Sequence, residues 1–133
     1  MSVGLDTSVV IRLLVGEPEE QAQCAWDFLG ECGAKRAKAH VSGLVVAEAF
    51  FVLQHHYGVP LELALQQLAG LLDDSRVSSD PEVDEVLRTP GLARARPGFV
   101  DRLIHQQHRG EGRTLITFDK LAGRLPGSRL LAP

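Results

Sequence analysis

The chain is poor in cysteine, in aromatic side chains and in long hydrophobic runs. Of its 133 residues, 2 are cysteines and 5% are aromatic. Cys24 and Cys32 fit no metal-ligand spacing, so we interpret them as core thiols of a protein in a reducing compartment. The few aromatics argue against a platform on which successive single-stranded bases stack. The chain has no run approaching a membrane span and no basic region before its first apolar stretch, which predicts a cytoplasmic protein without a membrane contact.

Length and composition predict one globular domain over residues 1–133. A chain of this size buries roughly two-thirds of its unfolded surface, so it needs no disulfide or metal in order to fold. Hydrophobic residues make up 44% and charged residues 23% of the sequence. These values exclude disordered, collagen-like and disulfide-scaffold proteins.

The net charge of −3 argues at first against a nucleic-acid-binding protein, which usually carries a basic surface. The charges are unevenly distributed, however. Residues 1–87 hold 5 Lys/Arg and 14 Asp/Glu, a balance of −9, whereas residues 88–133 hold 9 Lys/Arg and 3 Asp/Glu, a balance of +6. A protein with this distribution can be acidic overall and still present a basic surface.

The hydrophobic pattern alternates between short strands and longer helices. Apolar runs predict strands near residues 3–5, 39–41, 76–78, 114–117 and 129–131. Apolar stripes, early prolines and the N-cap candidate Ser42 predict helices near residues 9–14, 17–29, 43–57, 61–72, 81–87 and 99–108. Strands separated by helices favour an α/β fold with a central parallel sheet flanked by helices on both faces.

Four acidic residues lie at positions that favour a role in ligand binding or catalysis. Asp6 and Asp119 directly follow predicted strands, and ligands of α/β sheets gather at the carboxyl ends of strands. Glu48 lies within an apolar helix, where a carboxylate needs a cation or a hydrogen-bonded pocket, and Asp101 lies in the first turn of a helix. Each also has a structural interpretation: Asp6 and Asp119 as helix caps, Asp101 as a favourable N-terminal charge, Glu48 as the partner of a buried arginine.

Six segments in order resemble one known family. They are LDTSVVIRLL at 5–14, GEPE at 16–19, VVAE at 45–48, DPEV at 80–83, FVDRLI at 99–104 and LITFD at 115–119. Together these motifs are similar to those of PIN domains, and most of all to the VapC-type toxins of bacterial type II toxin–antitoxin pairs. The resemblance covers essentially the whole chain and implies a PIN-like three-layer α/β fold.

The resemblance implies a metal-dependent endoribonuclease. Asp6, Glu48, Asp101 and Asp119 would be the metal-binding acids, and Ser8 and Thr117 the hydroxyls that orient ligands or the attacking water. It further implies hydrolysis without a covalent intermediate, leaving a 5′-phosphate and a 3′-hydroxyl. Physical chemistry agrees, because two carboxylates 5 Å apart repel by roughly 3 kcal/mol at a dielectric near 20. Oxygen ligands select Mg²⁺ or Mn²⁺ over zinc.

The sequence departs from the family pattern near the third and fourth acids. Lys120 and Leu121 follow Asp119 where many relatives carry another acid, which leaves the fourth position without a second ligand. His105 stands one turn after Asp101, where small residues are common; it could reach the site, but a solvated or packed histidine is the simpler interpretation. The pair His55 and His56 lies on different helix faces and lacks the spacing of a transition-metal site.

Partners are predicted from the apolar helices and the arginines. The helices 44–57 and 61–72 carry apolar surface that either packs in the core or forms a dimer face with a groove for a partner helix. The family resemblance implies a homodimer inhibited by a cognate antitoxin. The arginines of residues 88–133 could contact RNA phosphates, although scattered arginines are often solvated surface.

Of three alternatives, the sequence disfavours the first and leaves the other two open. A HAD-like phosphatase also places an aspartate after its first strand, but it needs a second aspartate two residues later, where this chain has Ser8. A non-catalytic PIN-like module could bind RNA or protein through the same fold. A PIN nuclease could also process RNA outside any toxin system.

Overall fold

A computed structural model describes residues 2–133. These residues form six α-helices and five short strands, with 3₁₀ turns at Leu92–Arg94 and Ala122–Arg124. The elements are β1 (Ser2–Gly4), α1 (Thr7–Val15), α2 (Glu19–Ala34), β2 (Lys38–Val41), α3 (Gly43–His55), α4 (Leu61–Leu72), β3 (Val77–Ser79), α5 (Pro81–Leu87), α6 (Phe99–Gly110), β4 (Leu115–Thr117) and β5 (Ser128–Leu130). No helix within residues 2–133 is both long and apolar enough to cross a bilayer.

The chain divides into two compact units, an N-terminal unit Met1–Asp80 and a C-terminal unit Pro81–Pro133. In the N-terminal unit, β1, β2 and β3 pair side by side in parallel, with Val3 opposite Ala39 and Ala39 opposite Val77. In the C-terminal unit, β4 and β5 form a parallel pair. The predicted α/β class and parallel pairing are confirmed. The single domain inferred from length stays a prediction.

The N-terminal unit is built around a deep apolar core. β2 contributes Ala39 and Val41, whose side chains are fully buried, as the apolar run predicts. Ser42 then caps α3, its Oγ accepting a hydrogen bond from the Val45 N–H at 3.3 Å. The largest fully buried side chains in this unit are Val10, Leu29, Val41, Val46, Leu53 and Leu68. This core holds α1 and α3 in fixed positions at the carboxyl ends of the strands.

The C-terminal unit packs α5 against α6. Val83, Phe99 and Leu103 are buried there. The strand pair is more open: Ile116 is exposed, and Phe118, which follows β4, is 70% exposed. After residue 114, every side chain except that of Ala122 is partly or fully exposed.

Two details of the sequence interpretation need correction. Cys32 is buried in α2 as expected, but Cys24 is exposed, because it lies on the solvent side of the same helix. The helix α3 ends at His55 instead of near Tyr57, since Gly58 adopts a left-handed backbone (φ +64°) that turns the chain away.

Candidate functional site

An open cleft of about 450 Å³ in the N-terminal unit contains two of the four predicted acids. It lies between α1 and α3, which pack against each other. Its polar lining consists of Asp6, Thr7, Ser8, Arg12, Glu48, His56 and Tyr57. The spacing explains the convergence, because Ser8 and Arg12 are one turn apart on α1, while Glu48 and His56 are two turns apart along α3.

Asp6 sits at the N-terminus of α1 and caps it. Its Oδ1 accepts a hydrogen bond from the Thr7 N–H at 2.8 Å, and its Oδ2 accepts one from Ser8 Oγ at 3.4 Å. The helix dipole favours an anionic group at this position. The structure therefore brings Ser8 beside Asp6, as the motif predicts, and the capping interpretation of Asp6 is also correct.

Glu48 occupies an exposed face of α3, contrary to the burial that its apolar neighbours suggest. The same face carries Leu44, which is 79% exposed, and Phe51, so this part of the helix is apolar without being covered. No burial cost therefore requires a buried arginine or a cation at Glu48. Its carboxylate remains available to the cleft.

The donor set of the cleft suits a hard cation. Asp6 and Glu48 offer carboxylate oxygens and Ser8 offers a hydroxyl, and such ligands match Mg²⁺ or Mn²⁺. Two carboxylates alone make an incomplete site. Across residues 2–133, neither unit by itself gathers three or more His, Cys, Asp or Glu side chains that could hold a metal ion.

The C-terminal unit carries the other two acids. Asp101 is exposed in the first turn of α6. Asp119 follows β4, and its Oδ1 accepts hydrogen bonds from the N–H groups of Leu121 at 2.8 Å and Ala122 at 3.1 Å. Thr117 lies beside it, with its Oγ1 accepting from the Asp119 N–H at 2.9 Å. Asp119 therefore already stabilises the turn that follows it.

His105 is a packed residue of the C-terminal unit. It is only 6% exposed, and its Nε2 donates to the Pro126 carbonyl at 2.5 Å. This hydrogen bond ties α6 to the segment that leads into β5. The packed interpretation of His105 is confirmed.

Sequence reasoning missed four polar residues of the cleft: Thr7, Arg12, His56 and Tyr57. A signal for two of them was present in the sequence. Arg12 lies four residues after Ser8, and His56 lies eight after Glu48, so helical periodicity already places them on the same faces as the predicted site residues. Tyr57 lies beyond the end of α3 and could not be placed by periodicity.

Comparison with known proteins assigns the family. The model of the PIN domain family matches residues 3–127. Among solved structures, the chain is similar to the crystal structure of VapBC2 from Rickettsia felis bound to a DNA fragment from their promoter, with 18% identity, a TM-score of 0.41 and 98% of each chain covered. No curated protein matches the sequence. Because the family model spans nearly the whole chain, the protein belongs to the PIN domain family, whose members are generally nucleases.

Proposed function

We propose that the protein is a metal-dependent endoribonuclease that hydrolyses RNA phosphodiester bonds. The observation that carries the proposal is the cleft in which Asp6, Ser8 and Glu48 converge, in a chain whose family model spans residues 3–127. PIN domains typically use divalent metals, and the side chains of these three residues offer oxygen ligands, which suit a hard cation. Mg²⁺ is the proposed ion, with Mn²⁺ able to replace it.

The proposed roles follow from position and from the motifs. Asp6 and Glu48 would hold the cation, and Ser8 would orient the Asp6 carboxylate or the attacking water. The motif resemblance adds Asp101 and Asp119 as further ligands and Thr117 as the hydroxyl beside Asp119. A bound divalent cation supplies Lewis-acid polarisation of the phosphoryl group and makes water more acidic.

The reaction consumes one water molecule. The water oxygen bonds to phosphorus, the bond between phosphorus and the 3′ oxygen breaks, and a proton ends on that 3′ oxygen. The products are a 5′-phosphate and a 3′-hydroxyl. No covalent enzyme intermediate is needed.

The experiment is RNA cleavage by purified protein with Mg²⁺ or Mn²⁺. Asp6→Asn should abolish cleavage and leave the fold intact, because asparagine caps a helix as well as aspartate does. Glu48→Gln should act in the same way. Glu62→Gln is the matched control, since Glu62 is an exposed glutamate on α4 that does not line the cleft. Far-UV circular dichroism checks the fold of each variant. The enzymatic proposal is wrong if the wild type cleaves no RNA with either ion.

A second candidate is a non-catalytic module that binds RNA or protein. The capping roles of Asp6 and Asp119 favour this non-catalytic module, because both carboxylates already accept hydrogen bonds that stabilise the local backbone. The same cleavage experiment separates the candidates: a non-catalytic module would bind RNA without turnover, and Asp6→Asn would leave that binding unchanged.

Within the nuclease proposal, we assign the protein to the VapC-type toxins, acting in the cytoplasm as a homodimer under a cognate antitoxin. The support is the motif pattern together with exposed apolar side chains on α3 and α4: Leu44, Phe51, Leu61 and Leu63. A protein partner would cover such a surface. A short neighbouring reading frame encoding a DNA-binding protein favours the toxin assignment. Its absence favours a nuclease of general RNA processing.

A further inference from the structure

The cleft contains three side chains for which metal binding gives no role. Arg12, His56 and Tyr57 line the same 450 Å³ space as Asp6 and Glu48. That volume lies within the roughly 300–1,000 Å³ typical of clefts that hold small ligands. A cation and two aromatic rings beside carboxylates are the groups that would contact a nucleotide rather than a metal.

Arg12 is held in place and keeps donors free. Its Nε donates to Gln21 Oε1 at 2.6 Å, which anchors the guanidinium between α1 and α2. The ion pairs found among residues 2–133 do not include Arg12. The two terminal nitrogens therefore remain able to donate to a phosphodiester oxygen, which the planar guanidinium fits well.

The His56–Tyr57 pair is fixed by the end of α3. The N–H groups of both residues point to the Val52 carbonyl, at 2.9 Å for His56 and 3.3 Å for Tyr57. The left-handed Gly58 turns the chain, and the Val59 N–H closes the turn on the Leu53 carbonyl at 2.9 Å. The two rings meet edge to face, with centroids 4.9 Å apart at 74°. These hydrogen bonds fix the backbone of both residues, and the aromatic pair offers ring surface on which one base can stack.

We propose that Arg12 and the His56–Tyr57 pair form a nucleotide subsite, with a phosphodiester on Arg12 and one unstacked base against the aromatic pair. This inference rests on the proposed function, in which the cleft takes RNA. The base that contacts the aromatic pair must be unpaired, because a base inside a duplex is already stacked on its neighbours. One base per cleft also agrees with a chain that is only 5% aromatic.

The test measures RNA binding separately from cleavage. The Asp6→Asn protein serves as the parent so that the probe stays intact, and the probes are a short fluorescein-labelled single-stranded RNA and its duplex. Fluorescence anisotropy should show tighter binding of the single strand. Tyr57→Ala should weaken that binding roughly 5- to 150-fold, whereas Tyr57→Phe should retain it, since stacking needs only the ring. His56→Ala is a second variant of the aromatic pair. Because the His56 side chain is exposed, its removal should not destabilise the fold.

Arg12→Gln should weaken binding and lower the slope of log affinity against log salt by about 0.7, the value for one phosphate contact on a single strand. Trp26→Ala and Arg36→Gln are the matched controls, because both side chains are exposed and lie outside the cleft lining. They should bind RNA as the parent does.

The outcomes distinguish the subsite from the nuclease. Equal binding by the parent, Tyr57→Ala and Arg12→Gln overturns the subsite, even if the wild type cleaves RNA. Loss of binding in these variants but not in the controls supports the subsite, even if the wild type cleaves nothing and the nuclease proposal fails.

Discussion

The two units of the protein differ in core, charge and the setting of their acids. Within residues 2–133, 19 buried apolar residues lie in the N-terminal unit and 6 in the C-terminal unit. Residues 1–80 hold 5 basic and 11 acidic residues, whereas residues 81–133 hold 9 basic and 6 acidic ones. The unit with the deep core also contains the cleft. The N-terminal unit therefore carries Asp6 and Glu48 in a cleft beside a packed core, whereas Asp101 and Asp119 of the C-terminal unit are exposed.

Each unit contains a hydroxyl side chain next to an aspartate, but the order of the two residues along the chain is reversed. In the N-terminal unit, Ser8 follows Asp6 and donates to its free carboxylate oxygen. In the C-terminal unit, Thr117 precedes Asp119 and accepts from its backbone N–H. The hydroxyl therefore orients a carboxylate in the first case and a backbone turn in the second. We expect Asp6 to tolerate substitution less well than Asp119.

The largest expected effect is on catalysis. Removal of divalent ions with EDTA should reduce RNA cleavage by about 10³-fold or more, because Lewis-acid assistance supplies several kcal/mol of transition-state stabilisation. Restoring Mg²⁺ should restore cleavage. Asp6→Asn should lose as much activity as EDTA treatment does, measured as initial rate.

Asp119→Asn provides the matched comparison in the C-terminal unit. Asp119 does not line the cleft that Asp6 and Glu48 share, so we expect a smaller loss of rate and a higher Mg²⁺ requirement for this variant. Equal losses at Asp6 and Asp119, at saturating Mg²⁺, would contradict the difference between the two acids.

The next effect is on stability. Leu53→Ala should destabilise the protein by about 4 kcal/mol, near the upper end for a leucine in a packed core, because Leu53 is fully buried among helices. Leu103→Ala should lower the free energy of unfolding by about 2–3 kcal/mol. The loss is smaller because the core of the C-terminal unit is smaller, so fewer atoms surround the cavity that the substitution creates. Urea unfolding measures both values.

The same unfolding curves test the single domain predicted from length. Trp26, the sole tryptophan, reports on the N-terminal unit, while far-UV circular dichroism reports on the helices of both units. One domain requires coincident transitions by the two probes. Separate transitions would show that the units unfold independently.

A smaller effect depends on pH and is confined to the N-terminal unit. The side-chain hydrogen bonds from Arg76 lower the pKa of Asp74 from 3.8 to about 2, against the opposing effect of partial burial. A lowered pKa in the folded state stabilises the protein fully above pH 3.8, and this stabilisation is lost as the pH falls through about 2. Because both side chains are partly exposed, we expect about 1 kcal/mol.

Asp74→Asn should therefore destabilise the protein at pH 7 and match the wild type as the pH approaches 2, measured by urea unfolding across this range. Asp84→Asn in the C-terminal unit is the control. Its ion pair with Arg88 is well exposed, so its removal should change stability by no more than about 0.5 kcal/mol. A constant difference between Asp74→Asn and wild type at all pH values would exclude the ion pair as the cause.

The sequence predicts the elements better than the environment of their side chains. Proline at the start of α4 and α5, the Ser42 cap and the apolar runs are local signals, and the structure places these elements within one or two residues of the prediction. Local signals could not predict that Glu48 is exposed. Its exposure depends on which face of the apolar helix α3 is covered by the rest of the protein. The position of Tyr57 in the cleft lining depends on the turn at Gly58. Helical periodicity does not predict that turn.

The smallest effects come from the two helix starts, and they should have opposite signs. Ser42 caps α3 through its hydroxyl, whereas Gly98, which precedes α6, provides no side-chain cap. Ser42→Ala should therefore destabilise the protein by about 1 kcal/mol. Gly98→Ser should stabilise it by a few tenths of a kcal/mol, because Gly98 has an extended backbone and open space where a Cβ would stand. Thermal unfolding of both variants measures the shift in Tm. A loss of stability in Gly98→Ser would mean that α6 gains nothing from a cap, and that the packing of Phe99 and Leu103 alone fixes its start.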